Sequence, residues 1–97
     1  MTALMGSRHS EYFKSAVTLN GVYNNLAMMW FTDIPEWVPA ETLGRSQLHS
    51  LSEQDYLEML KQSSAHLPMR IPTLQFLGAK DLRVPHRQGL FFDAITR

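Results

Sequence analysis

Two short apolar runs, Ser15 to Leu19 ("SAVTL") and Thr73 to Leu77 ("TLQFL"), flank a long and mostly helical stretch. Each has the length and the β-branched or aromatic content of a buried strand. Each also meets a turn signal, Asn20-Gly21 after the first and Gly78 after the second. A tight hairpin cannot bridge that interval. Strands joined through helices pair side by side in a parallel sheet, with helices on its faces. The chain is therefore expected to be α/β. Two strands are too few for a complete sheet of this kind, so the fold is expected to be a partial one.

The remaining segments read as helices and connections. Residues 2–6, "TALMG", suggest a last helical turn closed by Gly6 in the left-handed conformation. Val22 to Phe31 fits a short helix. In "TDIPEWVPAETLG", Thr32 or Asp33 is a potential N-cap, Pro35 falls in the first turn and Gly44 marks the end. Pro39 argues against one continuous helix there, unless it lies in the first turn of a second piece. Ser52 opens a better helix, with Glu53 and Asp55 at the positive end of its dipole and Tyr56, Leu57 and Leu60 on one face. "QSSAHLPMRIP" reads as a loop. The last helix is predicted over Val84 to Thr96, with a stripe of Leu90, Phe91 and Ala94.

Composition narrows the function classes. At 97 residues, 44% of them hydrophobic and 19% charged, the chain is a small folded domain or part of one. The absence of cysteine excludes disulfides and thiolate chemistry. Nine basic residues balance nine acidic ones, so there is no basic footprint for nucleic acid. No apolar run is long enough to cross a bilayer, and "MTALMGSRHS" lacks the apolar centre of a secretory signal. A cytoplasmic protein that binds neither nucleic acid nor membrane is expected.

Asp81 is the leading site residue. It stands just beyond the carboxyl end of the second strand, where open parallel sheets gather functional groups. A carboxylate there can orient a histidine and stabilise its cation. It can equally be a turn aspartate that caps the following helix. Arg83, in the same loop, offers a donor fork for a peptide carbonyl or a carboxylate, or for a structural salt bridge. Gly44-Arg45-Ser46-Gln47-Leu48 is the nearest approach to a Gly-x-Ser-x-Gly nucleophile turn, but it lacks the final glycine and any preceding strand. Ser7 is no better placed. None of His9, His49, His66 and His86 forms a pair with helical metal-ligand spacing, so neither a metal nor any other cofactor is expected. His86, five residues past Asp81, reads as a helix-start or surface histidine. Trp30 and Trp37 suit a pocket wall or a core, and Met28-Met29 suit a core.

"TDIPEW", then "EMLKQSS", then "IPTLQFLGAKDLRVPHRQGLFFDAI" together resemble the catalytic domain of the acylaminoacyl-peptidases, within the prolyl oligopeptidase family of serine peptidases. The likeness runs from about Leu4 to Ile95. "TDIPEW" points to the acylaminoacyl-peptidases, whereas the Asp-x-Arg element is shared more widely. The resemblance implies an α/β-hydrolase fold, with Asp81 as the triad aspartate and Arg83 as a contact for substrate near the scissile bond. It implies release of N-acylated, usually acetylated, residues from short peptides, and assembly into homo-oligomers.

It also implies what residues 1–97 are expected to omit: the nucleophile turn, the histidine loop and the β-propeller that precedes such catalytic domains. The loop "QSSAHLPMRIP" is slightly shorter than its counterpart in the family. A chain with one triad member of three is expected to be inactive alone. The alternatives are a non-catalytic, truncated hydrolase-like protein that acts by binding, and an esterase or lipase of the same fold. "TDIPEW" counts against the last.

Overall fold

The computed structural model describes residues 1–45 and 47–96. Helix α1 (Thr2–Arg8) precedes strand β1 (Ala16–Leu19). Helices α2 (Asn25–Phe31), α3 (Trp37–Leu43) and α4 (Glu53–Lys61) follow, then strand β2 (Thr73–Phe76) and helix α5 (Arg87–Thr96). The strands pair in parallel, with Ala16 opposite Thr73 and Leu19 opposite Phe76. The arrangement is that of a partial α/β fold, as the spacing of the two apolar runs requires.

The strands are not buried as expected. Val17, Leu19, Leu74 and Phe76 share one face and keep 55%, 75%, 56% and 54% of their surface exposed. The covered face is the polar one. There, the Tyr23 hydroxyl lies 2.7 Å from Thr18 Oγ1 and donates to Gln75 Oε1 at 2.8 Å, while Gln75 Nε2 donates to the Gly89 carbonyl at 3.4 Å. Burial raises the Tyr23 phenol above its ordinary pKa, and the Thr18 hydrogen bond partly offsets this. Side-chain alternation thus follows the strand period, but the face turned inward carries hydrogen-bonding groups instead of aliphatic ones.

Helix α5 explains the inversion. Its buried residues are Gln88, Gly89 and Phe92, while the expected stripe of Leu90, Phe91 and Ala94 faces outward. Gly89 decides this. A Cβ there would run into the Leu77 side chain and lie 2.9 Å from Gln75 Oε1, so glycine admits this close approach to β2 without displacing the ends of those side chains. Phe92 then stacks on Tyr23, with ring centroids 4.1 Å apart and planes inclined by 5°. Gly6 acts similarly. It does not end α1, which continues to Arg8; a Cβ on Gly6 would meet Met69 Cε at 3.0 Å.

The middle helices form a lobe with its own core of Met28, Met29, Val38 and Met59, packed by Leu26, Trp37, Leu43, Leu51, Tyr56 and Val84 among others. Asn24 caps α2 by accepting from the Ala27 N–H at 3.1 Å. Helix α3 starts later than expected, after Glu36, so neither Thr32 nor Asp33 is its cap. Pro39 falls in its first turn, where no N–H is needed, and Gly44 closes it at φ 71°.

In α4 the expected capping residues hold. The Ser52 hydroxyl accepts from the Asp55 N–H at 3.3 Å, and Asp55 Oδ2 accepts from the Ser52 N–H at 2.8 Å. The expected stripe does not hold, because Leu57 and Leu60 are exposed and the buried positions are Asp55 and Met59. Asp55 is drawn in by its cap and by Arg45.

The lobe closes at its neck. Ser64 and Ala65 each donate a backbone N–H to the Tyr23 carbonyl at 2.9 Å, and the Asn25 N–H donates to Ser63 Oγ at 2.9 Å. Asn25 Nδ2 also reaches the Met59 carbonyl at 3.2 Å.

Candidate active site

The carboxyl ends of both strands are tied together. Asn20, just past β1, adopts a left-handed φ of 45°, a conformation that asparagine tolerates better than most residues. Its side-chain Oδ1 accepts a hydrogen bond from the Gly78 N–H, just past β2. Gly78 then opens a turn in which its carbonyl accepts the Asp81 N–H at 3.1 Å.

Asp81 is held by its own loop. Its Oδ1 accepts from the backbone N–H groups of Arg83 and Val84, both at 2.9 Å. This is the turn-capping geometry expected of an aspartate here. Among the described residues no hydrogen bond falls on Oδ2, so one oxygen rigidifies the loop and the other is uncommitted. The capping role and an orienting role are therefore compatible in one carboxylate.

Arg83 turns to the helical lobe. Its Nε donates to Asp33 Oδ1 at 3.2 Å and its Nη2 to Asp33 Oδ2 at 3.4 Å, a fork-to-fork pair. Those hydrogen bonds hold the Asp33 carboxyl below its ordinary value of 3.8 and raise the Arg83 guanidinium. The Asp33 N–H also donates to the Leu82 carbonyl at 3.2 Å, and Val84 packs on the methionine core. "TDIPEW" and "DLRVP" are thus joined through Leu82 and Arg83, while Val84 anchors the same loop to the helical lobe. Sequence reading missed Asp33, because the Arg83 contact spans 50 residues and leaves no local signature.

Asp81 and His86 both line a cavity of about 580 Å³ walled by Tyr23, Phe31, Leu82 and Phe91, among others. His86 lies immediately before α5, and its carbonyl accepts from Gly89 and Leu90 at 3.1 and 3.2 Å. No hydrogen bond joins it to Asp81. The cavity floor is fixed by Gln88, whose Oε1 accepts from the Tyr23 and Asn24 N–H groups at 3.1 and 2.9 Å. Two indoles divide: Trp37 packs on the methionine core and Trp30 is exposed.

Ser7 is buried in α1, with its hydroxyl directed at Met69 Sδ 3.8 Å away. Ser46 lies outside the described residues. Among the described residues no serine hydroxyl hydrogen-bonds a histidine, and no three His, Asp or Glu side chains converge as metal ligands. None of the described helices is long and apolar enough to cross a membrane.

Relatives give this loop its context. The chain is 33% identical over 103 residues to the acylamino-acid-releasing enzyme of Mus musculus, with 91% of this chain and 14% of that protein aligned. It is 38% identical over 84 residues to acylamino-acid-releasing enzyme 1 of Oryza sativa subsp. japonica, covering 80% of this chain and 11% of the rice protein. With the enzyme of Arabidopsis thaliana the identity is 37% over 92 residues, covering 91% and 12%. The chain thus spans only about one-eighth of the length of these relatives. The family model that matches residues 1–96 is that of the prolyl oligopeptidases, serine peptidases built on the α/β-hydrolase fold. By that match, and by relatives aligned along most of its length, the chain belongs to the prolyl oligopeptidase family.

Proposed function

We propose that this chain supplies the aspartate-bearing part of a catalytic domain that releases N-acylated, chiefly acetylated, residues from the N-termini of short peptides. The observation that carries the reading is the state of Asp81 at the carboxyl end of β2. One carboxylate oxygen is committed to two loop N–H groups and the other is uncommitted beside a cavity. A carboxylate anchored through one oxygen can hold a histidine ring in one tautomer through the other and stabilise the imidazolium formed when that ring takes the nucleophile's proton. The names borne by the relatives support the substrate class.

In this reading Asp81 is the triad aspartate and Arg83 a substrate contact. The serine and histidine come from sequence outside residues 1–97, as does any β-propeller. The chain alone then has neither nucleophile nor general base, and it does not turn over substrate. A cytoplasmic location and assembly into homo-oligomers accompany the proposal.

A graft tests it. Residues 1–96 would replace the matching segment of a full-length acylamino-acid-releasing enzyme, and hydrolysis of an acetylated alanine amide would be followed. Asp81→Asn in the graft should lower kcat by about 10³–10⁴-fold, the scale of losing an orienting carboxylate. Undiminished kcat in that variant, or turnover by the pure chain, would overturn the reading.

A further inference from the structure

We propose that Asp33 sets what Arg83 can bind, leaving it able to take a neutral carbonyl oxygen while turning away a free carboxylate. The inference rests on the reading of Arg83 as a substrate contact and decides between the two acceptors that an arginine fork allows.

A guanidinium binds carboxylate best through two parallel N–H groups aimed at its two oxygens. On Arg83 one of the two edges that can do this is already occupied, since Nε and Nη2 both end on Asp33. Among the described residues no hydrogen bond falls on Nη1, so the Nη1 end remains to meet a ligand, beside the carboxylate already bound. Charge then discriminates between ligands at that end. Asp33 neutralises the guanidinium, and Asp81 adds a second negative charge that Arg83 feels. An incoming carboxylate would be a third anion around one cation. A peptide carbonyl takes a hydrogen bond from Nη1 without that repulsion.

Geometry keeps Asp33 in place independently of the ion pair. Its N–H is bonded to the Leu82 carbonyl, and the Ile34 N–H donates to Thr32 Oγ1 at 3.4 Å in the turn around it. Asp33 is therefore a positioning residue, acting through Arg83 and not on substrate. The consequence for a peptidase that releases acylated residues is directional. The substrate's acylated residue presents a neutral amide carbonyl, whereas the released N-acyl amino acid ends in a carboxylate, which this arginine would hold less well.

The test uses the ¹⁵N-labelled 97-residue chain and the side-chain N–H resonances of Arg83, titrated with sodium acetate and separately with N-acetylalaninamide. In the wild-type chain acetate should leave the Arg83 resonances unmoved at concentrations where Asp33→Asn shows saturable shifts, an affinity gain of about tenfold or more on removing one nearby unit charge. Asp33→Glu should restore exclusion of acetate, which a merely structural role for Asp33 would not require. The neutral amide should shift the wild-type and Asp33→Asn resonances with equal midpoints. Equal acetate binding by wild type and Asp33→Asn would overturn the proposal. So would free solvent exchange of the wild-type Arg83 Nε–H, since the pair would then not form. If Arg83→Ala in the grafted enzyme leaves kcat/KM unchanged, the substrate-contact reading fails by itself, whatever acetate does in the isolated chain.

Discussion

The helical lobe and the two-stranded sheet are built on opposite principles. The lobe encloses an aliphatic core, with Met28 and Met59 fully buried, and covers it with residues of its three helices and with Val22, Leu48, Leu51 and Val84 from the segments around them. The sheet turns its aliphatic and aromatic face outward and covers Thr18, the half-buried Gln75 and the Tyr23 hydroxyl instead. Lobe stability should therefore follow packing volume. The sheet should depend on a few hydrogen bonds and on how closely α5 approaches. Flexible methionines suit a core filled from three directions, whereas a glycine suits one that must admit a neighbouring strand.

Substitutions can break or sharpen this contrast. Met59→Ala should cost about 2–5 kcal/mol, the usual range for emptying a fully packed site, read as a lower urea midpoint. Gly89→Ala should cost about 1–3 kcal/mol, because the added methyl overlaps Leu77. Ser52→Ala removes one half of a reciprocal cap and should cost about 1 kcal/mol. Phe76→Ala, on the outward face, should move stability by no more than about 0.5 kcal/mol. A loss as large as that of Met59→Ala would show that this face is covered in solution and would erase the contrast.

The smallest effect concerns pH. Asp33 is held below its ordinary value of 3.8 by Arg83, and Asp55 is held down first by the Ser52 N–H. A carboxylate whose folded pKa is depressed adds stability that is complete above the unfolded value and lost as pH falls through the folded one. Acid titration of stability should therefore show a decline that begins near the unfolded carboxylate range and continues below it. Asp33→Asn should shallow that decline, and an unchanged acid limb would mean that the surface pair contributes nothing.

Local chemistry made part of the molecule legible. Both strands, the Ser52 cap, the Gly44 helix end and the position of Asp81 beyond β2 all follow from residues close together in the chain. Facing was less legible. The outward turn of Leu57, Leu60, Leu90 and Phe91 depends on which neighbour each helix meets, and hydrophobicity alone ranked those residues inward. The covered side of α5 was set by its smallest residue, Gly89, which a search for apolar stripes passes over. At the site, Asp81 was legible from position, whereas Asp33 had to be found in three dimensions.

The closed neck of the lobe bears on the order of folding. Parallel pairing of β1 with β2 is non-local, and contacts of that kind slow folding because chain entropy must be lost before they form. The bonds from Tyr23 and Asn25 to Met59 and to Ser63 through Ala65 close the intervening segment on itself. Once the lobe has folded, the strands are separated by two short tethers. Disrupting the neck, for example with Asn25→Ala, should then slow sheet formation more than it speeds unfolding, making the lobe a kinetic template for the strands it separates.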